Sequence, residues 1–201
     1  MTVIIDYGVG NLFSLESSFA AIGEEAKVSD DEKVIGSADR LILPGVGAFG
    51  DAADKLRASG LDRMVIRLAG EGMPLLGICL GMQLLFDRSF EYGEHAGLGL
   101  IGGSVVPIDA PGLKIPHIGW NSLDIVRSHP IMKYTKSGDF VYFVHSFAAT
   151  DCESSLLATC EYGQTVTAAV ASGNVCGTQF HPEKSGETGL RILKAFCEMK
   201  G

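Results

Sequence analysis

The chain has 201 residues, of which 46% are hydrophobic and 20% are charged, a balance typical of a folded globular protein rather than a disordered one. Its formal net charge of -8 argues against a nucleic-acid partner, because no basic patch is available to neutralise phosphates. No apolar run is long enough to cross a membrane, and a strand-like segment follows the first residue directly. We therefore expect a single cytoplasmic domain over residues 1–201.

The first half of the chain alternates short apolar strands with amphipathic helices. Strands are predicted over residues 3–5, 41–43 and 74–76. Asn11 is predicted to cap a helix that ends at Gly23, with Leu12, Leu15, Phe19 and Ile22 on one face. Further helices are predicted from an Asp51 cap to near Gly60, over residues 61–68, and over residues 82–86. Such short, wholly apolar strands indicate a parallel sheet covered by helices on both faces.

The second half is rich in strand-like segments separated by glycine and asparagine turns. Strands are predicted over residues 104–108, 140–144, 155–160, 165–171 and 175–179, as antiparallel additions to the same sheet. A last helix is predicted over residues 190–199, with Leu190, Leu193, Phe196 and Cys197 facing inward. The expected fold class is therefore α/β, with a mostly parallel central sheet, flanking helices and added antiparallel strands.

The cysteines and histidines give no metal or disulfide signature. The five cysteines are odd in number and form no C-x-x-C pair, so reduced thiols are expected. His95, His117, His129 and His145 lack metal-ligand spacing. Among these, His145 ends a predicted strand, where a buried, hydrogen-bonded histidine is the simplest interpretation. We predict neither a metal nor a cofactor.

A cysteine stands at a sharp bend between a strand and a helix, in Gly77-Ile78-Cys79-Leu80-Gly81. Such an elbow projects a nucleophile clear of the backbone, and the flanking glycines leave space for the bend and the substrate. The following helix directs its N-terminal N–H groups toward the sulfur, which favours the thiolate. A buried core cysteine is the alternative interpretation, and it is preferred for the other four cysteines.

The segment His181-Pro182-Glu183 provides what a cysteine nucleophile needs: a histidine that moves protons and a carboxylate that orients it. If this segment is extended, side chains two residues apart point to the same side, so Glu183 can reach the ring of His181. A triad of Cys79, His181 and Glu183 is therefore the leading hypothesis.

Two glycine-rich turns follow predicted strands. Pro44-Gly45-Val46-Gly47 lies at the carboxyl end of a strand, where ligands bind in open α/β sheets, so one of its N–H groups is paired with that of Leu80 as an oxyanion hole. A plain strand-ending turn is the alternative. Gly8-Val9-Gly10-Asn11 suggests a dinucleotide fingerprint, but the third glycine is replaced by Phe13 and a nucleotide site is rejected.

Several of these segments resemble class I (triad-type) glutamine amidotransferases: residues 77–83, 44–47 and 179–185. Residues 6–11 and 116–121 are more narrowly similar to the glutaminase subunits of imidazole glycerol phosphate synthases in histidine biosynthesis. The resemblance spans the whole chain and implies a flavodoxin-like fold. It also implies hydrolysis of glutamine to glutamate and ammonia, with Cys79 as nucleophile and His181, oriented by Glu183, transferring the protons.

The resemblance further implies roles for residues around the triad. The oxyanion would be held by N–H groups at Val46, Gly47 and Leu80, and glutamine would be contacted by Gly45, Gln83, Ser146 and Phe147. Phe147 departs from the family, since many relatives have a tyrosine there. The implied partner is a (β/α)8-barrel cyclase subunit that receives the ammonia in a heterodimer. The positions facing it would be Gly8, Val9, Gly10, Asn11, His117, Trp120, Asn121 and Tyr142.

Three alternatives remain open at this point. The chain could serve another synthase, such as anthranilate synthase, and the partner with which it co-purifies would distinguish the two. It could instead be a catalytically silent flavodoxin-like binding module, although an intact Cys79, His181 and Glu183 argue against that. A stand-alone cysteine hydrolase is the third, and dependence of the activity on a partner would exclude it.

Overall fold

The computed structural model describes residues 1–199, and its elements alternate between strands and helices through the first half of the chain. The strands are β1 (Thr2–Ile5), β2 (Ala26–Ser29), β3 (Arg40–Leu43), β4 (Leu75–Ile78), β5 (Phe86–Ser89), β6 (His95–Ala96), β7 (Ile101–Pro107), β8 (His117–Ser122), β9 (Asp124–Ile125), β10 (Phe140–His145), β11 (Phe147–Thr150), β12 (Leu156–Glu161), β13 (Thr165–Ser172) and β14 (Val175–Thr178). The helices are α1 (Leu12–Ala21), α2 (Glu32–Gly36), α3 (Phe49–Ala58), α4 (Leu61–Gly70), α5 (Leu80–Leu84) and α6 (Gly186–Cys197). Short 3-10 turns span Pro130–Met132 and Pro182–Lys184.

Within the described residues 1–199, the main sheet has eight strands in the order β2-β1-β3-β4-β14-β13-β12-β9. The first five are parallel to one another, and the last three add antiparallel pairings. Two smaller sheets lie beside it, one made of β10 and β8 and the other of β11, β7, β5 and β6. The carboxyl ends of β3, β4 and β14 are thus adjacent, and this edge carries the candidate site.

Helices cover both faces of the main sheet, as the apolar strands require. A hydrophobic core lies on each face of the sheet, and alternate residues of β1 point into one core or the other. Ile4 packs with α1 and α6 in the first core, whereas Val3 and Ile5 pack with α2, α3 and α4 in the second. Phe19 of α1 and Phe196 of α6 are fully buried in the first core. The mixed α/β fold predicted from the sequence is confirmed.

The prediction for the second-half strands was partly wrong. The segments predicted over residues 104–108 and 140–144 correspond to β7, which ends at Pro107, and to β10, but these strands belong to the two small sheets and not to the main one. The strand over residues 175–178 is parallel to β4 and antiparallel only to β13. Strand patterns reveal burial and period, whereas the partner of a strand depends on contacts distant in sequence.

Helix ends also differ from the predictions. Asn11 occupies the N-cap position of α1 without a side-chain capping bond, and α3 begins at Phe49, which places Asp51 inside its first turn. The helix after Cys79 ends at Leu84, and Leu190 of α6 is only half-buried. The short elements β2 and α2 were not predicted. Within residues 1–199, no helix combines the length and apolarity that crossing a bilayer would require.

Candidate active site

A cleft of about 370 Å³ opens at the carboxyl ends of the parallel strands. It brings together most of the residues singled out in the sequence: Val46, Gly47, Cys79, Leu80, Gln83, Ser146, Phe147 and His181. The remaining lining residues are Glu91, Tyr92, Pro116, Val144, His145 and Lys184. Gly45 is buried and does not line the cleft.

Cys79 occupies a strained bend between β4 and α5. Its φ of 55° and ψ of -111° lie outside the regions that side-chain-bearing residues favour, and such conformations cost about 1–3 kcal/mol. Its N–H donates to the carbonyl of Thr178 at 2.7 Å, and its own carbonyl accepts from the N–H of Gln83 at 3.1 Å. The backbone is thus held on both sides of the bend, and the thiol lines the cleft.

Close backbone packing holds the elbow against the end of β3. A Cβ on Gly81 would lie 1.9 Å from the carbonyl oxygen of Leu43, and one on Gly77 would lie 2.6 Å from the carbonyl oxygen of Gly81. A Cβ on Gly45 would lie 2.7 Å from the nitrogen of Gly81. No side chain fits between these backbones, so the loop over residues 44–47 lies directly alongside the elbow.

The histidine and the carboxylate of the predicted triad are in contact. Nδ1 of His181 lies 2.8 Å from Oε1 of Glu183, and their side chains are only 3% and 2% exposed. The extended segment that was the condition for this contact does not form, because Pro182–Lys184 is a 3-10 turn that begins directly after His181. The backbone of His181 is anchored to β10, where its N–H donates to the carbonyl of Tyr142 at 3.0 Å.

The two histidines of the cleft have opposite electrostatic environments. Burial lowers the pKa of His181, but the sulfur of Cys79 and the carboxylate of Glu183 outweigh it and raise that pKa to about 9. Burial lowers the pKa of His145 to about 4. His181 is therefore protonated at neutral pH and His145 is neutral. Nε2 of His181 is buried and has no hydrogen-bond partner among residues 1–199, so it is free for a reacting group.

The loop over residues 44–47 is fixed at its start and open at its end. The hydroxyl of Tyr7 donates to the carbonyl of Pro44 at 2.7 Å, and burial raises the pKa of this tyrosine, which keeps it a donor. Gly47 has a φ of 93°, and no atom of residues 1–199 lies within 4 Å of the position that its Cβ would take. The peptide joining Val46 to Gly47 therefore lies in open space at the cleft wall.

Two glutamines connect the cleft wall to the cysteine. Nε2 of Gln83 donates to the carbonyl of Phe147 at 3.1 Å and to Oε1 of Gln179 at 2.9 Å. Nε2 of Gln179 in turn donates to Sγ of Cys79 at 3.8 Å. Gln179 was not among the residues predicted to form the site, although it stands within the segment that carries His181.

Glu91 and Tyr92 were also missed. Oε2 of Glu91 accepts the N–H of Phe49 at 2.6 Å, which fixes the carboxylate at the cleft wall. Tyr92 is 89% exposed and its ring meets that of Phe147 edge-on. Both lie in the connection after β5, and nothing in the local sequence distinguishes them from an ordinary polar loop.

The residues predicted to face a partner differ in their exposure to solvent. Trp120 is 55% exposed, contacts the ring of Tyr142 edge-on, and lies on the same side of the molecule as Gly186. His117 is 2% exposed and stacks between Phe143 and Tyr162, so its side chain is not on the free surface, and its place at the partner interface stays a prediction. Asn121 is half-buried. Gly8 is exposed, whereas Val9, Gly10 and Asn11 are partly buried.

Comparison with known proteins identifies relatives over the whole length. The family model described as glutamine amidotransferase class-I matches residues 3–199. The imidazole glycerol phosphate synthase subunit HisH of Syntrophotalea carbinolica is 50% identical over 208 residues, an alignment that covers 99% of this chain and 100% of that protein. The subunit of the same name from Caldanaerobacter subterraneus subsp. tengcongensis is 50% identical over 200 residues, with 99% and 98% covered.

Solved structures show the same fold. A crystal structure of a glutamine amidotransferase superimposes with a TM-score of 0.77 at 22% identity and covers 98% of this chain and 97% of that one.

Proposed function

We infer the function of this chain from one premise: it belongs to the glutamine amidotransferase class-I family, whose model matches residues 3–199. We propose that it is the glutaminase subunit of an imidazole glycerol phosphate synthase in histidine biosynthesis, acting as a single cytoplasmic domain. The observation that supports the glutaminase assignment is that Cys79 and His181 line one cleft, with Glu183 in contact with the ring of His181. The full-length relatives support the assignment to this synthase.

The reaction begins with attack of Cys79 on the side-chain amide carbon of glutamine. The sulfur forms a bond to this carbon, and the negative charge moves to the amide oxygen. N–H groups of Leu80 and of the Val46–Gly47 peptide stabilise that oxygen. Support for this assignment comes from the position of all three residues on the cleft wall beside Cys79.

His181 transfers the protons. Its raised pKa keeps it an imidazolium beside Cys79, so it can donate a proton to the departing amine and release ammonia. The neutral imidazole then takes a proton from water, whose oxygen attacks the thioester and releases glutamate. The contact with Glu183 at 2.8 Å supports an orienting role for that carboxylate. His145 lines the same cleft but is neutral, and it is not the base in this scheme.

Substrate binding is assigned to other residues that line the same cleft. Both Nε2 hydrogens of Gln83 are used inside the protein, so its Oε1 is the atom that would face glutamine. Ser146 and Phe147 line the cleft and would contact the substrate through their backbone and side-chain atoms. The carboxylate of Glu91 would attract the α-ammonium group of glutamine. Gly45 contributes by close packing under the loop rather than by contact.

A cyclase subunit with a (β/α)8-barrel is the proposed partner in a heterodimer, and ammonia would pass to it without leaving the complex. The proposed interface contains the exposed Trp120, its neighbour Tyr142 and the loop over residues 8–11. This loop also reaches the loop over residues 44–47, here called the oxyanion loop, because a Cβ on Gly10 would lie 2.9 Å from Cβ of Pro44. A change at the interface therefore has a short physical route to the site.

We propose that the oxyanion hole is completed only in the occupied complex. The open peptide before Gly47 can rotate to turn its N–H into the cleft, because glycine tolerates both orientations. One missing oxyanion donor costs about 100- to 1,000-fold in turnover, which is large enough for control. Glutamine would then be hydrolysed quickly only when the cyclase can use the ammonia.

The test is glutamate release by the chain alone, with the cyclase subunit, and with the cyclase plus its nucleotide ligand. We expect slow turnover alone and a large rise when both are present. A full rate without the partner would identify a stand-alone hydrolase. Activation by a chorismate-using subunit in place of the cyclase would identify another synthase, and no turnover in any mixture would identify a silent module.

A further inference from the structure

The sulfur of Cys79 lies between a hydrogen-bond acceptor and a donor. The carbonyl oxygen of Val144 is 3.9 Å away and accepts from the thiol, whereas Nε2 of Gln179 donates to the sulfur at 3.8 Å. When the thiol loses its proton, the carbonyl faces a negative charge and the N–H becomes the favourable neighbour. Gln179 is completely buried, so water does not weaken this contact.

The direction of the Gln179 amide is determined by a backbone carbonyl. The carbonyl of Phe147 can only accept, so it requires the Nε2 side of the Gln83 amide at 3.1 Å. The second hydrogen of this Nε2 donates to Oε1 of Gln179 at 2.9 Å. Gln179 must therefore present its own Nε2 to Cys79, because the reversed amide would lose the bond to Gln83.

A histidine pair holds the same carbonyl in place. Nδ1 of His145 lies 2.8 Å from the carbonyl of Phe147, so this nitrogen carries the proton. Nε2 of His145 is then the acceptor for Nδ1 of His117 at 3.0 Å. Burial lowers the pKa of both histidines, and the neutral forms are those that this arrangement needs. The carbonyl of Phe147 thus accepts from both His145 and Gln83, and from Gln83 the donors continue through Gln179 to Cys79.

We propose that Gln179 is a catalytic residue that stabilises the thiolate of Cys79 through the N–H of its side-chain amide, with Gln83 and the carbonyl of Phe147 fixing the orientation of that amide. This proposal rests on Cys79 being the nucleophile of the proposed glutaminase. It adds a neutral donor to the charge of His181, and the Gln179 side chain that supplies this donor is completely buried.

The test measures the rate at which iodoacetamide alkylates Cys79, followed by mass spectrometry of the peptide that contains it, from about pH 5 to about pH 10. In this reaction the thiolate displaces iodide, so the rate reports the thiolate fraction. Gln179→Met keeps the volume and removes the N–H. We expect about a tenfold slower reaction near pH 7, as for the loss of one hydrogen bond to a charged acceptor, and convergence with the parent rate near pH 10.

Gln164→Met is the matched control, because Gln164 lies in the turn between β12 and β13 and does not line the cleft. It should leave the profile unchanged. Gln179→Glu retains an acceptor for Gln83 but turns an oxygen toward the sulfur, so it should slow alkylation near pH 7 at least as much as Gln179→Met. Thermal unfolding of each variant checks that the fold is kept.

Two results would overturn the proposal: an unchanged profile in a folded Gln179→Met variant, or a rate lowered equally at every pH, which indicates a purely structural role. If both substitutions unfold the chain, the same profile measured on Gln179→Asn decides between these outcomes. Iodoacetamide needs neither glutamine nor the partner. The profile can therefore support the role of Gln179 even if the glutaminase assay fails. Equally, the glutaminase assay can succeed while the profile refutes the role of Gln179.

Discussion

Replacing Glu183 by glutamine should move the basic limb of the pH–activity profile to lower pH. The pKa of His181 is about 9 against an ordinary 6.5, a difference that corresponds to about 3 kcal/mol in favour of the imidazolium. Burial disfavours the imidazolium, so the stabilisation of this charge by Cys79 and Glu183 together must exceed about 3 kcal/mol. Because the pKa is raised by folding, the imidazolium is present at neutral pH and is lost as the pH rises through about 9.

The magnitude follows from the contact between His181 and Glu183. Their side chains are almost fully buried at a separation of 2.8 Å, so solvent does not screen the pair. A hydrogen bond to a charged group contributes about 1.5–3 kcal/mol, which moves the limb down by roughly one to two pH units in Glu183→Gln. His181→Ala should lose more, roughly 100- to 10,000-fold, because it removes the group that transfers protons.

The assay is kcat/KM for glutamine hydrolysis against pH, with the cyclase subunit present throughout. Glu187→Gln is the control, since Glu187 is exposed in the first turn of α6. A basic limb that stays in place while Glu183→Gln loses activity would refute the electrostatic role of Glu183. Full activity in both the Glu183 and the His181 variants would move the proton transfer elsewhere, with His145 the first candidate.

Three further substitutions test the rest of the site. Cys79→Ala should abolish hydrolysis and keep the fold, and a diazoketone analogue of glutamine should label Cys79 far above the other cysteines; mass spectrometry showing even labelling would contradict this. Gly81→Ala should lower the melting temperature, because its Cβ would lie 1.9 Å from the carbonyl oxygen of Leu43. The control Gly70→Ala should melt like the parent, because no atom of residues 1–199 lies within 4 Å of the added Cβ. Trp120→Ala should lose activation by the cyclase and keep the basal rate, and activation at the parental level would remove Trp120 from the proposed interface.

The parts of the site that sequence could predict are those built from neighbouring residues. An apolar strand, a glycine-flanked cysteine and a helix form one continuous segment, and the elbow lies where its pattern indicated. The pair of His181 and Glu183 was predicted for an imperfect reason. The expected extended segment is a 3-10 turn, and Pro182 at its first position supports that turn with its fixed φ.

Contacts between distant segments could not be predicted in this way. Gln83 meets the carbonyl of Phe147 across 64 positions of sequence, and Gln179 meets Cys79 across 100. The sequence around a glutamine gives no indication of such a contact, because hydrophobic periodicity and propensity describe only the local strand or helix. The same reason explains why the parallel pairing of β14 with β4 was missed.

The strain at Cys79 persists because glycines let the surrounding backbones come closer than side chains would permit. The bend at φ 55° would relax if the helix after it could move away from β3. It cannot relax without breaking the contacts of Gly77 and Gly81, where the neighbouring backbone segments lie too close together for even a Cβ to fit between them. The same approach brings the oxyanion loop alongside the elbow, since Gly45 lies against Gly81. The packing that keeps the nucleophile strained is therefore also the packing that places the N–H donors beside it. Any side chain added at these glycines would disturb both features together.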